Sequence, residues 1–159
     1  MYGQEATLRE QVVAEYKDDL AKLLKYLPYL EKKSGKVKQD YYEGDGEHKV
    51  IPVPVYDSTL LAFVKEARQT KLITRNYPYS YRKWKMPDSD AEKIAMESAT
   101  VRDIDLIRGV FSKYVLEGQT KSVMWTKAIE EGIFVVVLKK LNALIFDYSS
   151  DPKEKRPQA

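Results

Sequence analysis

Apolar residues recur at three- and four-residue steps through Leu8, Val12, Tyr16, Leu20, Leu23, Leu24 and Leu27, a single stripe that predicts a helix over residues 7–27. Thr7 and Glu10 have the spacing of a capping box, and Pro28 is expected to stop the helix by pushing Leu27 away from helical dihedrals. A second stripe, Leu60, Leu61, Val64 and Ala67 behind the cap Asp57, predicts a helix over 58–69, with Leu72 and Ile73 tucked under its end. TRNYPYSYRKWKMP then reads as an aromatic connector. Pro87 and the acids Asp88, Asp90 and Glu92 suit the first turn of a short helix reaching Ser98. Thr100 and Asp103 resemble a capping box ahead of a helix with Ile104, Ile107, Phe111 and Tyr114 on one face. Two closing helices, 122–131 and 133–147, meet at Gly132.

The pattern breaks between residues 31 and 56, where charge and glycine dominate. Asp45-Gly46 is a hairpin signal, and Pro52 and Pro54 confine the second strand to an edge; a loop fits the same residues equally well. The expected fold is mainly α: a compact bundle of five to six helices, with a small β-hairpin near residues 36–55. Residues 1–150 form one helical domain, and the polar stretch 151–159 is a frayed tail.

Composition narrows the function. Cysteine is absent, which removes disulfides, thiolate metal sites and a cysteine nucleophile, and suits a cytoplasmic location. The opening MYGQEATLRE lacks a basic, then apolar, leader, and the apolar run 133–138 is far short of the roughly 20 residues of a membrane span. His48 is the single histidine, so triads with an imidazole base are unsupported, and no glycine-rich phosphate loop is present. No cofactor is expected. Asp40, Glu43, Asp45, Glu47 and His48 gather possible metal ligands, but Tyr42 interrupts the calcium-loop spacing, and solvated turn charges are the simpler reading.

Charge is uneven. Between Lys65 and Lys85 seven basic residues face the single Glu66, whereas 86–120 is net acidic. Within the basic stretch lie Arg75, Tyr77, Tyr79, Tyr81, Arg82, Lys83, Trp84 and Lys85, the candidate binding surface. Interleaved rings and cations are what a single-stranded nucleic-acid surface uses, because bases stack while the backbone is neutralised. The competing reading packs the rings onto the fold and leaves the cations solvated, so burial of Tyr77, Tyr81 and Trp84 would count against nucleic acid.

Ala128, Gly132, Leu138 and Leu141 imitate a DNA-reading helix-turn-helix. The reading face would be Phe134, Val135 and Val136, and hydrocarbon cannot hydrogen-bond base edges. The final helix is instead read as a central core helix or as the seam of a homodimer.

Val55-Tyr56-Asp57, the run from Tyr77-Pro78 to Trp84, and Gly132 with Leu138 and Leu141 together resemble a family of uncharacterised small bacterial helical proteins, a domain of unknown function. The resemblance spans about two thirds of the chain and implies a helical domain with no site residues to carry over. Glu117-Gly118-Gln119 departs from it, standing where family members often have arginines. The function expected is a non-enzymatic binding or interaction protein, self-associating through its final helix, or alternatively a nucleic-acid binder using residues 75–85.

Overall fold

Two prolines lie in the first turns of helices: Pro28, read from the sequence as a helix stop, and Pro78, within the expected connector. The structure, a computed structural model, describes residues 2–33, 58–121 and 123–146. Helix α1 spans Tyr2–Leu24, and after a turn at Lys25 and Tyr26 a second helix, α2, runs Leu27–Lys33 with Pro28 as its second residue. A first-turn N–H has no partner inside a helix, so proline loses nothing there. Pro28 therefore opens α2 rather than ending the helix before it, and Thr7 lies within α1 rather than capping it.

Helix α3 covers Ser58–Arg68. The stretch expected to be a connector holds α4, Tyr77–Trp84, again with proline in its first turn. Helix α5 is Ser89–Ser98, capped by Asp88, whose Oδ1 accepts the Ala91 N–H at 2.9 Å. The Thr100–Asp103 capping box forms around a 3₁₀ turn, Val101–Asp103, that leads into α6, Ile104–Glu117. Helices α7, Val123–Glu130, and α8, Ile133–Ile145, close the fold. The fold is mainly α as expected, but the described residues hold eight α-helices rather than five or six, and no strand. The expected hairpin near 36–55, the acidic loop 40–48 and the tail 151–159 lie outside the described residues.

The core is organised around α8. Phe63 of α3, Phe111 of α6 and Phe134 of α8 form a triangle of edge-to-face rings with centroids 5.1–6.1 Å apart. Such pairs add about 0.5–1.5 kcal/mol each beyond the area they bury. Phe134, Val137, Leu138, Leu141, Leu144 and Ile145 are all at most 3% exposed. The apolar stripe that suggested a homodimer seam is thus covered by the chain's own helices, including α1, α2, α5, α6 and α7. Gly132 takes φ 72°, a left-handed turn that lets α7 and α8 fold back on each other. The helix-turn-helix imitation is core.

Two residues of α6, one turn apart, hold the chain between α3 and α4. The Arg108 guanidinium donates to the Lys71 and Ile73 carbonyls at 3.0 and 3.4 Å, and Ser112 Oγ accepts the Thr74 N–H at 2.8 Å. From the other side, Asp19 of α1 accepts the Lys71 N–H at 2.8 Å. These bonds deliver α4 onto α6. There Gly109 leaves room for Ser80: a Cβ at Gly109 would lie 2.6 Å from Ser80 Oγ.

A cationic helix face backed by a buried carboxylate

The basic-aromatic stretch is a helix with two unlike faces. Tyr77, Tyr81 and Trp84 fall at helical steps of four and three and are all half-buried. Tyr79, Arg82 and Lys83 share the opposite face and are exposed, with Tyr79 at 50%. Arg75 precedes the helix and Lys85 follows it, both exposed. Among the described residues, Arg75, Arg82 and Lys85 form no ion pair, while Lys83 Nζ rests 4.6 Å from the Trp84 ring centroid. The eight candidate residues are therefore brought together on α4 and its two flanks but split. Five stand in solvent and three rings point inward.

Tyr81 is held by a group that the sequence marks only as a first-turn acid. Glu92 of α5 is 1% exposed. Its Oε2 accepts the Tyr81 hydroxyl at 2.6 Å and its Oε1 accepts the Tyr114 hydroxyl at 2.5 Å. Lys113 Nζ lies 3.7 Å from Oε2 and 4.4 Å from the Tyr81 ring centroid. A buried carboxylate is costly unless paired and hydrogen-bonded, and here both oxygens are satisfied. Three helices, α4, α5 and α6, meet at this one side chain.

The same environment governs the tyrosines. Burial, then the hydrogen bond to Glu92, pushes the Tyr81 hydroxyl far above the ordinary phenol range, and the same two causes act on Tyr114 in the same order. Tyr77 is raised more modestly, first by burial and then by its hydrogen bond to Glu117. These phenols are fixed donors, not acids. The cluster is a clasp with its valences used up, and its chemistry is that of a structural tie.

In sequence Glu92 looked like a first-turn acid equivalent to Asp88 and Asp90. One signal distinguishes it: Glu92, Met96 and Ala99 recur at helical steps, and all three are buried. No group of three His, Asp or Glu side chains among the described residues could hold a metal ion. No helix among them is long and apolar enough to cross a membrane.

Comparison with known proteins supports the resemblance seen in the sequence. Residues 15–147 match the family described as a family of unknown function, DUF6508, and the chain belongs to that family. No curated protein and no solved structure matches the chain.

Proposed function

We propose that this member of the DUF6508 family is a non-enzymatic binding protein whose working surface is the outer face of α4, and that its partner is an acidic protein segment. One observation carries the reading: Arg75, Arg82 and Lys85 stand exposed and without ion pairs among the described residues, around a helix pinned from behind. Uncompensated cations on a rigid element steer and orient an acidic partner while losing little conformational entropy on binding. A cytoplasmic location belongs to the same proposal and fits a chain without cysteine. Self-association through α8 does not, because its apolar stripe is already covered.

Single-stranded nucleic acid is the second reading, favoured by Tyr79, half-exposed beside Arg82 and Lys83. It ranks lower because three of the four rings are turned toward the fold, leaving one stacking platform where such grooves use several.

Titration with poly-glutamate and with a thymidine oligonucleotide separates the two. Acidic-protein binding predicts poly-glutamate affinity that falls with salt, survives Tyr79→Ala, and is lost in the double variant Arg82→Glu, Lys83→Glu. Preference for the oligonucleotide, weakened by Tyr79→Ala, would select nucleic acid. Binding to neither, or binding unchanged in the double variant, would remove both.

A further inference from the structure

We propose a second, separate site: the groove between α1 and α3 binds a small aromatic phosphomonoester. The groove has a volume of about 370 Å³ and is lined by Lys22, Tyr26, Ala62, Lys65, Glu66, Gln69 and Thr70. That volume lies at the lower end of small-molecule sites. Ala62, Lys65, Glu66 and Gln69 follow the ridge of α3 at steps of three, one and three, and Lys22 and Tyr26 face them one turn apart.

The charges sort into committed and free. Glu66 accepts the Tyr26 hydroxyl at 2.9 Å and pairs with Lys25 at 3.2 Å. These contacts hold its carboxyl below the usual carboxylate range, led by the Tyr26 bond, so it stays ionised, with the Lys25 ammonium offsetting its charge. Thr70 is committed too, donating to the Ala67 carbonyl at 2.7 Å and accepting the Leu72 N–H at 3.3 Å. Lys22 makes a long 3.9 Å contact to Asp19 and adds a weaker attraction to Glu66, and Lys65 forms no ion pair among the described residues. Two ammonium groups and the exposed Gln69 amide thus remain to receive an anion. Ala62 supplies a small apolar side chain. Tyr26 is fixed edge-on against Phe63 at 5.4 Å, so the groove keeps its shape without a ligand. A dianionic head between Lys22 and Lys65, with a ring lying toward Ala62 and Tyr26, uses each free group.

The site does not depend on the α4 reading. Phenyl phosphate, phenol and inorganic phosphate are titrated by calorimetry and by amide chemical shifts. Phenyl phosphate should saturate one site, moving the amides of residues 62–70 and binding more tightly than either fragment. Lys22→Ala and Lys65→Ala should each weaken it on the order of tenfold. Ala62→Leu, on an exposed position that folding tolerates, should abolish binding by filling the groove. The double variant Arg82→Glu, Lys83→Glu should leave it unchanged. Absence of saturable binding overturns the proposal. So does binding that phenol or inorganic phosphate equals, that Ala62→Leu leaves intact, or that follows the α4 variant instead.

Discussion

The Tyr114 hydroxyl donates to Glu92 Oε1 at 2.5 Å, joining two side chains 22 residues apart inside the helical core. With Tyr81 on the other oxygen, that contact fixes how far α4 can move from α5 and α6. The orientation of the outer face of α4 is therefore set by residues packed behind it.

Removing the carboxylate alone should be severe. Glu92→Leu strands two phenolic hydroxyls and the Lys113 ammonium, and a broken buried pair costs about 3–5 kcal/mol. Adding Tyr81→Phe and Tyr114→Phe to the same protein should recover a large part of that loss, because only the partly exposed Lys113 ammonium is then left without its acceptor. Urea denaturation of the single and triple variants measures both quantities. A triple variant less stable than Glu92→Leu would contradict the assignment.

Alkaline pH should loosen the same clasp. Burial and the bond to Glu92 raise both tyrosine hydroxyls above the ordinary phenol range, so the unfolded chain releases these protons first. Their stabilisation is complete below about pH 10 and declines as pH rises past it. Thermal melts between pH 8 and 11 should therefore show a fall in stability that becomes shallower in Tyr114→Phe. An equal slope in wild type and variant would argue against burial of that hydroxyl.

Lys85 ends α4 in the left-handed region, at φ 49° and ψ 70°, with its N–H returned to the Tyr81 carbonyl at 3.1 Å. A side chain there costs about 1 kcal/mol, so Lys85→Gly should stabilise the protein by up to that amount. The same change removes one cation from the proposed binding face and should weaken poly-glutamate binding. A variant that gains stability and loses affinity fits a strained functional position; a loss of stability does not.

At the other end of the fold, Phe134→Ala should cost about 3–5 kcal/mol by opening the three-ring cluster. Sedimentation of the wild-type protein should not depend on an α8 seam, and the exposed variant Lys139→Glu should leave its mass unchanged. A concentration-dependent dimer sensitive to Lys139→Glu would bring α8 back as an interface.

Much of this architecture was legible in the chain, and the exceptions have physical reasons. The stripes of α1, α3, α6 and α8 carry enough apolar residues to set a helical period, and Thr100 and Gly132 mark helix starts by the capping and turn chemistry expected of them, while Asp88, expected only as a first-turn acid, caps α5. Helices α2 and α4 were lost because they are short, at 7 and 8 residues, and carry proline as their second residue, which also starts loops. In α4 the stretch read as a connector in which all four rings were equivalent candidates, whereas helical geometry sends Tyr79 away from Tyr77 and Tyr81. Glu92 escaped notice because a first-turn acid already has a local explanation in the helix dipole, and its true partners come from residues 81, 113 and 114. Contacts assembled across sequence leave only a faint mark, here one acid on an apolar stripe.

The inward rings and outward cations of α4 underlie the whole account, and tyrosine acetylation by N-acetylimidazole, located by mass spectrometry, reads that arrangement directly. Tyr79 should be modified rapidly in the native protein, while Tyr81 and Tyr114 stay protected until denaturant is added. Acetylation of Tyr81 at the rate of Tyr79 would contradict the account, because the clasp to Glu92 would then not hold α4 in place.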